Sequence, residues 1–205
     1  MKKILIVLFL FISTAIQAEW LKGSVTYLNG KVKTGYVKLF TNVETKIIYY
    51  KSSPKAKKER IKSTMLREVQ MKLKNGNSFH AMYLKTATLV NKTGKMRTSK
   101  NKAWLGVYYQ GEFNVVGYYS GSWSTTDYYI NWPGKDVATL ASMVGSGLTF
   151  VAGKKKFIRL TSTAIFKGKC DKMIEALDTE SFVPVKIEDV IEFYEKNCAT
   201  VHTQL

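Results

Sequence analysis

The chain has 205 residues and carries 32 Lys and Arg against 15 Asp and Glu, a formal net charge of +17. Its 12 Tyr, 10 Phe and 4 Trp against only 3 Pro argue for a packed core and against a disordered composition. With two histidines and no His or Cys motif of metal-ligand spacing, zinc or calcium chemistry is poorly supported, and no cofactor is implied.

At the N-terminus Lys2 and Lys3 precede an unbroken apolar run from Ile4 to Ile12, and small residues lead to Ala18 before Glu19. That layout is the one a cleavable secretory signal requires, and the run is too short to span a bilayer. An uncleaved N-terminal anchor is the rival reading; a lipid anchor is excluded because no Cys stands at the cut. Residues 1–18 are therefore expected to be a signal peptide, and the protein to be exported, to a periplasm or outside the cell.

After the cut the charge divides unevenly. Residues 19–169 hold 27 bases and 7 acids, and residues 170–205 hold 3 bases and 8 acids. A basic body of this kind can attract polyanions, and the acidic tail can offset part of it.

Residues 19–90 read as a β block. Ser24 to Tyr27 and Lys31 to Phe40 flank Asn29-Gly30, a strong hairpin signal, and Lys46 to Tyr50 is a third strand. A second hairpin joins Leu66–Lys74 to Ser78–Leu84 through Asn75-Gly76-Asn77, with a slip in alternation at Arg67-Glu68 that predicts a bulge. Two polar, basic stretches interrupt the strands. One holds Lys51, Lys55, Lys57, Lys58, Arg60 and Lys62; the other holds Lys92, Lys95, Arg97, Lys100 and Lys102 and reads as a linker or long loop. A second β block, residues 103–153, carries paired aromatics separated by glycines, which predicts a meander of two or three strands; around Gly145-Ser146-Gly147 either a strand or a short helix fits.

Residues 154–205 read as a helical unit. Lys154 to Phe166 is one helix. Cys170, Met173, Ile174 and Leu177, then Ile187, Val190, Ile191, Tyr194 and Cys198, follow helical spacing. If the last two helices form an antiparallel hairpin, Cys170 and Cys198 meet at one end. An oxidising compartment then makes a disulfide the natural expectation, with two buried thiols as the alternative. The fold class expected is α+β, a mostly antiparallel β body with a C-terminal helical unit.

The frame Trp20-Leu-Lys-Gly23, Asn29-Gly30-Lys-Val32, Gly35-Tyr-Val-Lys-Leu39 and Ile48-Tyr-Tyr-Lys51, with the Cys170-Asp171 and Ile187 to Cys198 elements, resembles uncharacterised secreted proteins of the Bacteroidota. The resemblance touches both ends of the chain after residue 18. It implies export and a paired Cys, and it carries over no catalytic residue, because that group has no established activity.

The chemistry-bearing residues point away from catalysis. His80 reads as an ordinary strand residue, His202 lies in the tail, and Gly145-Ser146-Gly147 lacks the Gly-x-Ser-x-Gly elbow. The favoured expectation is a non-enzymatic envelope or secreted binding protein. Its two basic stretches read either as solvated Lys loops of a basic protein or as the contact for an anionic polysaccharide, a lipid head group or extracellular nucleic acid. Its rival is a secreted hydrolase or transferase, which a pocket gathering His80 with an acid and a hydroxyl would favour.

Overall fold

The structure is a computed structural model that describes residues 19–40, 42–90, 93, 95–120, 125–145, 154–184 and 186–199. The expected signal peptide, Lys92, Ser146-Gly147 and His202 lie outside these residues. The described chain is α+β, as composition and periodicity predict, with ten strands followed by three helices. None of those helices is long and apolar enough to cross a membrane.

Strands β1 (Trp20–Tyr27), β2 (Val32–Lys38), β3 (Ile47–Lys51), β4 (Glu59–Lys62) and β5 (Leu66–Lys72) form the first half. Strands β6 (Ser78–Val90), β7 (Lys95–Gln110), β8 (Asn114–Ser120), β9 (Thr125–Asn131) and β10 (Val137–Gly145) form the second. All belong to one sheet in the order β10-β9-β8-β7-β6-β5-β1-β2-β3-β4. Gly30 and Gly76 sit at φ 83° and 84° in the β1–β2 and β5–β6 turns, where any other residue would be strained. The predicted bulge is present: Thr26 faces Glu68 and Tyr27 faces Leu66, so Arg67 is the extra residue.

The sheet coils on itself twice. Along the first turn, side chains from β1 to β7 share one core, from Leu21, Val25 and Val37 through Ile48 and Ile61 to Val69, Tyr83 and Trp104. Gly23 and Gly35 face each other across β1 and β2. A Cβ at Gly23 would run into the Gln70 carbonyl, and one at Gly35 into the Lys51 carbonyl. Glycine is thus what lets neighbouring strands approach closely enough for the sheet to curl there. In the second turn β10 pairs antiparallel with β9 and parallel with β6, closing β6–β10 into a five-stranded barrel. The parallel pair is forced, since in an up-and-down meander the first and fifth strands point the same way. Leu84, Leu105, Val116, Tyr129, Ala138 and Leu140 fill that barrel. At its end the buried Asn131 amide donates to the carbonyls of Lys135 and Val137, closing the β9–β10 loop.

The long strands β6 and β7 serve both cores. Tyr83 and Trp104 face the first, and Leu84 and Leu105 face the second. Trp104 pins the halves together: its Nε1 donates to the Thr45 carbonyl and to Ser63 Oγ, each at 3.1 Å. One expectation is overturned here. The basic stretch from Lys95 to Lys102 is no linker between blocks but the first half of β7, paired with β6 from Val90 to Lys85. Polar composition misleads there because an arm of a hairpin facing water draws its backbone hydrogen bonds from its neighbour and needs no apolar face.

Helices α1 (Lys154–Phe166), α2 (Asp171–Asp178) and α3 (Ile187–Asn197) pack on side chains of β8, β9 and β10, with α1 running beside β10. Phe113 lies at the centre of an aromatic group with Trp132, Phe166 and Tyr194, all within 5.0–5.8 Å of it in edge-on contacts. Ile187, Val190 and Tyr194 form the buried stripe of α3 that the spacing predicts. A Cys170–Cys198 disulfide joins the start of α2 to the end of α3. Asp189 accepts the Lys186 backbone N–H at 3.0 Å, where the dipole of α3 favours an anion.

Candidate polyanion-binding face

In the first half, odd-numbered positions of β1 and β2 and even-numbered positions of β3 point into the core, so the alternate positions face out. Three adjacent strands repeat one tripeptide, aromatic–apolar–Lys: Trp20-Leu21-Lys22, Tyr36-Val37-Lys38 and Tyr49-Tyr50-Lys51. The middle residue of each, Leu21, Val37 and Tyr50, is buried. Period-two geometry therefore sends the aromatic ring and the lysine of every tripeptide to the same outer surface.

Antiparallel pairing then sets unlike residues side by side. Trp20 faces Lys38 and Lys22 faces Tyr36 across β1–β2, while Tyr36 faces Lys51 across β2–β3 and Tyr49 faces Arg60 across β3–β4. Two rows result, Trp20–Lys38–Tyr49–Arg60 and Lys22–Tyr36–Lys51, with ring and base alternating along each and between them. Lys51 Nζ lies 4.6 Å from the Trp20 ring centroid, and Lys38 and Lys58 lie 5.4 and 4.8 Å from that of Tyr49. Such contacts contribute about 0.5–1 kcal/mol each at exposed sites, enough to bias where a flexible ammonium rests.

No outward position of β1–β4 holds an acid. Residues 19–62 contain 11 bases and three acids. Two of those acids are engaged away from the checkerboard, Glu59 with Lys33 at 2.7 Å and Glu19 with Lys74 at 3.2 Å. The third, Glu44, is in the β2–β3 loop. Among the described residues the bases of this face thus have no carboxylate partner in any ion pair of the structure, which leaves their field directed at solvent.

The residues singled out by sequence are distributed as follows. Lys51, Arg60 and Lys62 stand on the outer face of β3 and β4, Lys58 leans over Tyr49 from just before β4, and Lys55 and Lys57 are exposed in the turn between those strands. Lys95, Arg97, Lys100 and Lys102 lie on β7, and Lys102 forms an ion pair with Asp136 at 3.5 Å. Lys22, Lys38, Trp20, Tyr36 and Tyr49 were not among those residues, although the repeated tripeptide is visible in the sequence. Reading bases by local density, rather than by which face of a strand they share, hides it.

His80 has an acid beside it. Its Nε2 lies 3.1 Å from Glu68 Oε2, and both side chains are 15% exposed. The hydrogen bond from His80, with Arg67 beside it, holds the Glu68 carboxyl down at about 2. Among the described residues no hydroxyl is hydrogen-bonded to His80. The pair ties β5 to β6. A second carboxyl, Asp127, has its pKa raised by burial and is hydrogen-bonded by Tyr118, whose ring stacks on Tyr129 at 6.3 Å at the barrel interior. At the helical cover, the Tyr109 hydroxyl donates to Glu195 at 2.7 Å and the Tyr194 hydroxyl to Glu112 at 2.8 Å. These two bonds fasten α3 to the β7–β8 hairpin.

No family model, no curated protein and no solved structure matches the chain.

Proposed function

We propose that the chain is an exported, non-enzymatic binding protein and that the outer face of β1–β4 holds a polyanionic ligand. The checkerboard of rings and bases carries this reading. Six bases, Lys22, Lys38, Lys51, Lys58, Arg60 and Lys62, share one surface with three aromatic side chains and no acid. A surface selected only for solubility mixes both signs of charge, and this one does not. The signal-like N-terminus supports export, and the absence of a matching triad or metal motif in the sequence supports binding over catalysis.

The test compares two sets of four substitutions in the chain starting at Glu19. One changes Lys22, Lys38, Lys51 and Arg60 to Gln; the other changes Lys85, Lys95, Arg97 and Lys100 on the β6–β7 hairpin. Both lower the charge equally. The first set should elute from a heparin column at markedly lower salt than the second, with thermal midpoints close to the parent, because exposed charges act locally once salt screens them beyond about 10 Å. Equal losses would mean diffuse charge and would refute a site on β1–β4.

A further inference from the structure

We propose that the ligand of this face is an acidic polysaccharide, bound through its carboxylate and sulfate groups by ammonium groups that the aromatic rings hold in place. This rests on the reading of β1–β4 as a polyanion-binding face and narrows it to one class of ligand and one mode of contact.

The rings carry the distinction. Aromatic side chains that receive nucleobases or sugar faces do so with an open π-surface. On this face two of the three rings are already occupied. Lys51 lies over Trp20, and Tyr49 has Lys38 reaching it from the β2 side and Lys58 from the β4 side. A base stacking on Tyr49 or Trp20 would have to displace an ammonium group from the ring. An anionic group, by contrast, is met by that ammonium where it stands. The ring then acts as a positioning residue, reducing the conformational freedom that a long lysine side chain loses on binding.

The arrangement of the charges fits a chain rather than a single ion. Lys22, Lys38, Lys51 and Arg60 occupy successive strands and alternate between the two rows. They therefore form a zigzag across the sheet with diagonal steps of about 7–8 Å. Neighbouring strands are ~4.8 Å apart, so the line crosses about 14 Å of surface from β1 to β4. Three of its four members are lysines, which meet anions as point charges with no demand for a planar bidentate partner. A polymer with an acid group on each repeating sugar satisfies such a line without presenting a base to stack. A single-stranded nucleic acid satisfies the charges but finds only Tyr36 without an ammonium group over its ring.

Isothermal titration of the chain from Glu19 at low salt tests this with two probes of equal charge, a heparin oligosaccharide and an oligothymidylate. The heparin fragment should bind more tightly. Tyr49→Phe, which keeps the ring, should bind it like the parent. Tyr49→Leu, which removes the support of two lysines, should weaken it about threefold to tenfold at unchanged net charge. Should Tyr49→Leu fail to fold, Trp20→Leu against Trp20→Phe at the start of β1 makes the same comparison. Oligothymidylate binding as tightly as heparin, with quenching of fluorescence that disappears in Trp20→Phe, would show that the rings do stack. That would overturn this inference while leaving a polyanion site in place. A folded Tyr49→Leu of parental affinity would likewise overturn the role of the ring. Binding of neither probe would overturn both this inference and the reading it rests on.

Discussion

Trp104→Phe should destabilise the protein by about 2–3 kcal/mol, because one indole anchors β7 in the core that the first half builds. Trp104 is 2% exposed and packs against Phe40 and Tyr83 at 5.3 and 5.0 Å. Phenylalanine keeps a ring there but loses the Nε1 donor. The Thr45 carbonyl does not become an orphan, since it still accepts Ser63 Oγ at 2.6 Å. The hydrogen-bond loss is then about 1 kcal/mol, that of a typical net bond and not of a buried unsatisfied acceptor. Removing part of the indole takes away roughly 40 Å² of buried surface, about 1 kcal/mol at ~25 cal/mol per Å², and the void left beside Phe40 and Tyr83 adds to it. Urea unfolding followed by far-ultraviolet circular dichroism measures the change, with Leu28→Ser on the β1–β2 turn as a control, since Leu28 is 58% exposed. For a chain of this size the thermal midpoint should fall by roughly 4–12 °C. A change below about 0.5 kcal/mol, the level of an ordinary surface substitution, would refute the claim that Trp104 couples the halves.

Reduction of Cys170–Cys198 should lower stability by about 3–4 kcal/mol in the chain-entropy model, given a separation of 28 residues, and denaturant melts with and without reductant measure it. Two alkylated cysteines in unreduced protein would contradict the disulfide. Burial first, then the bonds to Glu195 and Glu112, push the Tyr109 and Tyr194 hydroxyls up to about 12. Since these groups are bonded in their protonated form, their contribution is complete below pH ~10 and disappears as pH rises through about 12, so Tyr109→Phe should flatten the alkaline unfolding limb. Glu68 behaves oppositely: its contribution is present above about pH 4.5 and is lost as pH falls towards 2, and Glu68→Gln should make the acid limb shallower. Unaltered limbs in either variant would show that these contacts do not contribute to folding.

Much of the architecture was legible in the sequence because local rules govern it. Asn29-Gly30 and Asn75-Gly76 mark turns that need a positive φ, the slip at Arg67 marks a bulge, and the spacing of Ile187, Val190 and Tyr194 marks a buried helical stripe. The basic stretches could be counted, but their grouping could not. Sequence density set Lys55, Lys57 and Lys58 apart from Lys22 and Lys38, although cross-strand register brings the last two onto the face that Lys58 shares. The stretch from Lys95 to Lys102 read as a loop because its alternation has no apolar face to report.

Local sequence reaches what depends on neighbours within a few residues, the turns, the period of strands and helices and the runs of charge, while the pairing of Cys170 with Cys198, 28 residues apart, it leaves as an expectation. Tertiary structure alone decided the closure of β6–β10 and the two-sided burial of β6 and β7, where Tyr83 and Leu84, or Trp104 and Leu105, serve different cores. It also decided that three separate aromatic–x–Lys tripeptides become one surface. The reason is register. A strand dictates which of its own side chains share a face, but only the hydrogen-bonded partner dictates what stands beside them, and that partner can lie anywhere along the chain.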